Sequence, residues 1–141
     1  MKATGIIRRV DDLGRVVIPK EIRRNLGIRE GDPLEIFTDG KAVCFQKYSL
    51  LAEYVSTAKT LIDTLRKQGV KCALYDNSDC KICGDKNAPT EVEYEAYNPN
   101  HFAITVDGDF CGFLVIEDMN ANDEPLIKFT AMALGKIMTV D

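Results

Sequence analysis

The chain has 141 residues, of which 45% are hydrophobic and 28% charged, and its formal net charge at pH 7 is -4. This composition is typical of a folded protein and excludes intrinsic disorder, while the lack of an apolar run of about 18–20 residues excludes a membrane-spanning helix. The five cysteines lack the spacing of a secreted disulfide framework, and Arg8 and Arg9 interrupt any signal-peptide pattern. We therefore expect a cytoplasmic protein with reduced thiols.

Charge is distributed unevenly along the chain. Residues 1–50 carry ten Lys and Arg against seven Asp and Glu, a net +3, whereas the remaining residues carry eight against fifteen, a net -7. A basic segment followed by an acidic one is typical of a nucleic-acid-binding module joined to a second domain. A solvated charged surface is the commoner explanation of so small an imbalance, so the positions of the arginines decide between the two.

The chain begins with a pattern that predicts two short strands and a turn. Residues 5–10 and 15–18 are rich in β-branched side chains, as strands are. Between them lies the sequence DDLG at 11–14, in which Gly14 can adopt a positive φ. Arg8, Arg9 and Arg15 therefore flank one predicted turn.

A short helix is predicted next, from residue 20 to residue 26. Pro19 suits the first position of a helix, where its missing N–H costs nothing, and Gly27 suits the position after the last turn. Arg23 and Arg24 lie off the predicted apolar stripe of this helix, which is formed by Ile22 and Leu26.

A second hairpin follows, with strands at 34–37 and 42–45 joined through Asp39-Gly40. The whole segment of about 48 residues has few large apolar side chains, so a single copy would bury too little surface to be stable alone. We therefore expect dimerisation, with strands of two chains completing one barrel-like core. A two-fold dimer would present every arginine twice, which suits a DNA duplex.

One dense motif occupies most of this segment: TGIIRRVDDLGRVVIP at 4–19, EIRR at 21–24, LGI at 26–28 and GDPLEIF at 31–37. The motif resembles the AbrB family of transition-state regulators, and within it the stage V sporulation protein T branch. The resemblance implies a swapped-hairpin β-barrel dimer over residues 1–48 that binds double-stranded DNA and regulates stationary-phase or sporulation genes. It implies DNA contacts by Arg8, Arg15, Arg23 and Arg24, with Arg9 at a neighbouring basic position.

Each arginine also has a structural explanation. Arg8 and Arg15 could be charges that keep an edge strand from aggregating. Arg23 and Arg24 could be surface residues in the last turn of the helix, where a positive charge interacts favourably with the helix dipole. Asp11, Asp12 and Glu21 lie among the arginines, and we expect them to orient the guanidinium groups. The segment has no cluster of Asn or Gln, so we expect recognition through the DNA backbone and shape rather than through a base code.

Residues 49–141 predict a second, α/β domain that begins with a helix over 50–68, with Ser49 as its N-cap. Apolar side chains recur every three or four residues along this helix. Such a stripe fits a surface helix packed on its own domain and fits equally well a helix paired with its symmetry mate.

Further along, the pattern predicts four strands, a variable middle and a final helix, capped by Asn122 or Asp123, with Pro125 in its first turn. The predicted order is strands at 71–75 and 81–83, an acidic stretch at 85–99, a hairpin of 102–106 and 110–116, and the helix. This order resembles a reduced form of the GAF-like sensor domain found in the same branch. It implies an oligomerisation or sensor role, with any small-molecule effector left open.

The cysteines allow three interpretations. A C-x-x-C pattern and three other candidates could bind a metal, form a redox-sensing thiol pair or pack as inert side chains. The candidates are Cys72, Cys80, Cys83, His101 and Cys111. Two cysteines three apart on one strand would point to opposite faces and could not share a metal, and Cys44 fits a strand core.

Catalysis has no support in the sequence. The chain has one His, no Ser/His/Asp set, no Gly-rich phosphate loop and no paired-carboxylate motif. We therefore predict a homodimeric or homotetrameric DNA-binding regulator that is not an enzyme and needs no cofactor. Two alternatives stay open: an antitoxin-like DNA-binding protein, and a metal- or redox-sensing regulator that uses Cys80 and Cys83.

Overall fold

The structure is a computed structural model that describes residues 2–139. The chain divides into two compact units between Lys47 and Tyr48. Within the described residues, no helix is both long and apolar enough to cross a membrane.

The first unit contains one helix and one β-hairpin. Helix α1 spans Lys20–Leu26, and strands β1 (Leu34–Asp39) and β2 (Ala42–Lys47) pair antiparallel. Gly40 has φ 59° in the tight connection between the strands, a conformation that glycine adopts at little cost. The predicted helix and second hairpin are therefore confirmed.

The two strands predicted at 5–10 and 15–18 do not form a sheet in a single chain. The described residues of these segments make no strand ladder, although the turn between them is present. A strand needs a second backbone to receive its hydrogen bonds, and one copy provides none here. The predicted buried stripe of α1 is also wrong for a single chain, since Leu26 is 59% exposed and the helix has no buried residue.

The second unit is built on a four-stranded antiparallel sheet in the order β4-β3-β6-β5. Its strands are β3 (Lys71–Asp76), β4 (Lys81–Gly84), β5 (His101–Val106) and β6 (Asp109–Glu117). Asp107 and Gly108 both have positive φ, at 51° and 86°, as a two-residue type I′ hairpin turn requires. All four predicted strands and this hairpin are confirmed.

The predicted helix over 50–68 is divided in two. Helix α2 covers Leu50–Glu53 and α3 covers Val55–Lys67, with Tyr54 between them at φ -114° and ψ 25°. Ser49 is extended, but its side chain makes no capping hydrogen bond.

The final helix, α4, covers Glu124–Ile137 and has Pro125 in its first turn as predicted. Asp123 occupies the N-cap position, as predicted. The side chain of Asn120 accepts a hydrogen bond from Asn122 N–H at 3.0 Å and caps the short 3-10 turn before α4, whereas Asp123 makes no side-chain cap.

Helices α3 and α4 pack in one core with the sheet. Ile62 and Leu65 of α3 are buried together with Ile127 and Leu134 of α4 and with Leu114 of β6. Each such side chain contributes about 1.5–3 kcal/mol on full burial. The apolar stripe of α3 is therefore used within its own unit, and this finding decides against a coiled coil through that stripe.

The opposite face of the sheet carries an aromatic cluster. Tyr75 and Phe113 are cross-strand neighbours with ring centroids 5.3 Å apart, and Tyr94 packs on Phe113 at 5.1 Å. The hydroxyl of Tyr75 donates a hydrogen bond to Pro89 O at 2.7 Å. The acidic stretch 85–99 is thus held over this face by aromatic contacts and by that hydrogen bond.

His101 fastens the end of the same stretch. Glu95 N–H donates a hydrogen bond to His101 Nδ1 at 3.0 Å, which requires the unprotonated nitrogen. Burial lowers the pKa of His101, and the nearby Glu95 carboxylate only partly opposes this effect.

We predict that His101 makes the second unit less stable in mild acid. Because its folded pKa is lowered, the unfolded chain binds the proton more readily as the pH falls below about 6.5. The stability from neutral His101 is therefore complete above that pH and is lost below it. Urea unfolding at about pH 7.5 and about pH 5.5 should show a larger loss for the wild type than for His101→Gln. Equal losses in the two proteins would contradict this role.

Candidate nucleic-acid interface

The turn at 11–14 is organised by one carboxylate. Asp11 Oδ1 accepts hydrogen bonds from Leu13 N–H at 2.9 Å and from Arg15 N–H at 2.8 Å. Asp11 N–H donates to Arg15 O at 3.0 Å, and Gly14 has φ 77°. This pattern closes the turn and fixes the backbone on which Arg15 is carried.

The same carboxylate orients the Arg15 side chain. Arg15 Nε donates a hydrogen bond to Asp11 Oδ2 at 2.8 Å, while 71% of the arginine side chain stays exposed. Hydrogen bonds from the backbone and then the side chain of Arg15 lower the pKa of Asp11. The contact uses only Nε, so the terminal nitrogens face solvent and can meet an anion such as a phosphate.

Helix α1 carries two further arginines, Arg23 and Arg24, in its last turn, which is closed by a glycine cap. Gly27 has φ 67°, and Ile28 N–H donates to Arg23 O at 2.8 Å, which is the hydrogen bond that closes a glycine-capped helix. Arg23 Nε donates to Ile18 O at 3.0 Å and ties the helix to the segment before it. Arg24 is exposed and makes no side-chain hydrogen bond within the described residues.

Lys47 is a basic residue with a structural role that the sequence did not indicate. Its Nζ donates to Gly27 O at 3.2 Å and lies 3.7 Å from Asp32 Oδ2. Asp32 Oδ2 also accepts a hydrogen bond from Arg29 N–H at 2.8 Å. Strand β2 is thereby fastened to the end of α1, and the lysine side chain is only 14% exposed.

All five predicted DNA-contacting arginines lie on exposed positions of the first unit: Arg8, Arg9, Arg15, Arg23 and Arg24. Arg8 Nη1 donates only to the adjacent Ile7 O at 3.0 Å. The expected orienting role holds for Asp11 alone, since Asp12 and Glu21 form no ion pair among residues 2–139. Both acids lie where nothing fixes them to a guanidinium group.

The candidate metal and redox residues all lie in the second unit. Cys72 and Cys111 are buried, Cys83 is half-buried and Cys80 is exposed, before the start of β4. Burial raises the pKa of both Cys72 and Cys83 to about 11, so both thiols are protonated at neutral pH. The described part of the chain brings no three His, Cys, Asp or Glu together as metal ligands. The described residues therefore offer no metal site, and the raised pKa of Cys72 and Cys83 disfavours a reactive thiolate at either position.

The comparisons with known proteins concern mainly this first unit. A family model described as "Antidote-toxin recognition MazE, bacterial antitoxin" matches residues 7–43. Stage V sporulation protein T of Bacillus subtilis is 65% identical over 66 residues, which are 46% of this chain and 37% of that protein. The transition state regulatory protein AbrB of the same organism is 47% identical over 74 residues, or 52% of this chain and 77% of that protein.

Solved structures of related domains match about a third of the chain. A refined solution structure of the N-terminal DNA recognition domain of Bacillus subtilis AbrB is 59% identical and covers 35% of this chain and 92% of that one, with a TM-score of 0.31. Of the two relatives named above, the chain spans 37% of the length of stage V sporulation protein T and 77% of the length of AbrB.

We predict that Asp11 is required for the order of the turn. Asp11→Ala removes the acceptor of two backbone N–H groups, so the amides of Leu13 and Arg15 should exchange with solvent faster, as measured by NMR. Asp11→Asn keeps one acceptor oxygen and should retain much of the protection. Asp12→Ala is the matched control and should change neither amide. Unchanged exchange in Asp11→Ala would show that the turn does not depend on this carboxylate.

Proposed function

The chain belongs to the AbrB family of transition-state regulators, and from this membership we propose that it is a DNA-binding transcription regulator. The observation that carries the proposal is the group of five exposed arginines on the turn and helix of the first unit. The names of its relatives favour genes of stationary phase or sporulation as its targets. A regulator of this kind acts in the cytoplasm and is not an enzyme.

The contacts of the arginines support binding to the DNA backbone. Arg15 and Arg23 are each held by one hydrogen bond from Nε, which leaves the terminal guanidinium nitrogens for a phosphate. Arg9 and Arg24 are exposed on the same unit. Such residues supply affinity by neutralising phosphates and releasing counterions, and this part of the binding depends on salt but not on sequence.

Pairing of two chains through the first unit is supported by its unburied apolar surface. Ile7 is 86% exposed, Val17 70%, Ile36 63% and Val43 61%. In a swapped-hairpin dimer, a second chain supplies the missing strand partners for 5–10 and 15–18 and buries these side chains. The pairing also doubles the number of arginines on one two-fold surface.

For the second unit we propose a reduced GAF-like domain whose main role is assembly. An antiparallel sheet with α3 and α4 in one core supports this assignment. Tyr94 and Val92 of the stretch 85–99 pack on the other face of the sheet. The chain's own side chains thus occupy a place where a sensor domain could hold a ligand, which favours assembly over effector binding.

We predict that Arg8→Ala or Arg23→Ala weakens DNA binding by about 1 kcal/mol or more per dimer site, roughly fivefold in Kd. Loss of a phosphate contact should also make the salt dependence shallower. Fluorescence anisotropy with a labelled duplex over a series of salt concentrations measures both quantities. Lys41→Ala, in the hairpin turn of the same unit, is the matched control and should bind as the wild type does. Unchanged affinity at every salt concentration would contradict the proposed surface.

An antitoxin-like role is the second candidate, because the matching family model is that of an antitoxin. Such a protein would bind a toxin through its C-terminal part. The second unit instead has its own buried core, which includes Leu51, Leu74 and Leu134, so it needs no partner in order to fold. Purification of the tagged protein from its native cells separates the two roles. A small protein that co-purifies in fixed stoichiometry would favour the antitoxin.

A further inference from the structure

The acidic stretch 85–99 is fastened to the sheet unevenly. Its first part is held by several hydrogen bonds. Lys81 Nζ donates to two carbonyl oxygens at the start of the stretch, at 3.2 Å and 2.9 Å. Lys81 N–H donates to Thr90 O at 2.8 Å, and Val92 N–H donates to Asp79 O at 3.0 Å. The stretch is therefore bound firmly to the edge of the sheet as far as Val92.

Residues 93–97, which we call the flap, follow this fastened part. Among the described residues, one hydrogen bond joins the flap to the sheet, from Glu95 N–H to His101 Nδ1 at 3.0 Å. The other attachment is the ring of Tyr94, whose centroid lies 4.7 Å from that of Phe110 and 6.1 Å from that of His101. The flap thus has its polar contact with the sheet at a single titratable nitrogen.

We propose that the flap is a lid that a proton opens: protonation of His101 at Nδ1 releases the flap and uncovers the aromatic face of the sheet. A protonated Nδ1 is a donor and cannot accept the Glu95 N–H, so the closed flap would set two N–H groups against each other. Both ends of the flap stay attached through backbone hydrogen bonds, from Val92 N–H to Asp79 O and from His101 N–H to Asn98 O at 3.1 Å. Neither bond involves the imidazole, so the flap opens while the sheet stays folded.

The surroundings of His101 favour the neutral imidazole while the flap is closed. Burial lowers the pKa of His101, and the Glu95 carboxylate of the flap only partly opposes this effect. From β6, the uncharged Val115 lies opposite His101 and the ring of Phe113 lies 5.4 Å away; from the flap, Tyr94 is the other titratable neighbour. Opening exposes the imidazole to water and brings its pKa back towards about 6.5, so a fall in pH below that value favours the open flap.

The surface that opening uncovers is aromatic. With the flap closed, Phe113 is completely buried and Phe110 is 37% exposed. Both rings pack against Tyr94 and lose its cover when the flap leaves. Mild acid therefore turns a covered part of the sheet into an exposed aromatic surface.

Hydrogen exchange at two amides of the full-length protein tests this lid. The protection factor of the Glu95 amide, which corrects for the intrinsic effect of pH on exchange, should fall severalfold from about pH 7 to about pH 5.5. The Val92 amide, bonded within the same stretch, is the matched control and should keep its protection. Equal protection of Glu95 at both pH values would overturn the proposal. A parallel loss at Val92 would overturn it as well, because the whole stretch would then be loosening.

The variant His101→Gln identifies the group that takes up the proton. Glutamine does not titrate, so the protection of Glu95 in this variant should be the same at both pH values. In the wild type, the midpoint of the loss should coincide with the NMR titration of the imidazole, which is unambiguous because the chain contains one histidine. A pH dependence that persists in the variant would assign the proton to another group and contradict the lid. Circular dichroism at each pH verifies that both proteins are folded.

Discussion

Two segments of the first unit have no strand partner within one chain. Residues 5–10 and 15–18 have the composition of strands, yet they form no ladder, and Ile7 and Val17 next to the turn stay exposed. Unpaired backbone groups and exposed apolar side chains both have a cost that a second chain removes. The proposed dimer, its doubled arginine surface and its fit to a DNA duplex all depend on this one constraint.

A few local contacts fix the backbone segments that carry the arginines. Asp11 closes the turn and holds Arg15, while Lys47 fastens β2 to the end of α1 through Gly27 O. Asp11 and Lys47 therefore position the arginine surface although neither is a predicted DNA contact. The acidic second unit is built separately, on a core of its own, which explains how a chain with a net charge of -4 can carry a basic unit.

The parts that sequence could predict are those whose information is local. Gly27, Asp107 and Gly108 mark backbone positions with positive φ, and short runs of strand-forming residues between turns located β3 to β6. The contact of Lys47 with Gly27 O was not predictable, because the two residues are 20 positions apart in sequence. The break at Tyr54 was not predicted either, because the apolar spacing continues through it. The same holds for α3, whose apolar spacing fits two partners equally well until its packing is known. The DNA-binding role of the arginines was predicted from motif and resemblance together, since charge alone favoured a solvated surface.

Hydrogen exchange of the full-length protein tests the central claim most directly. If two chains complete one barrel, the backbone amides of 5–10 and 15–18 should be protected to the same degree as those of β1 and β2, and the protection should be lost when the protein is diluted to monomer. Fast exchange in both segments, in a protein that is associated and bound to DNA, would show that the strands are never paired and would contradict the dimer on which the DNA surface depends.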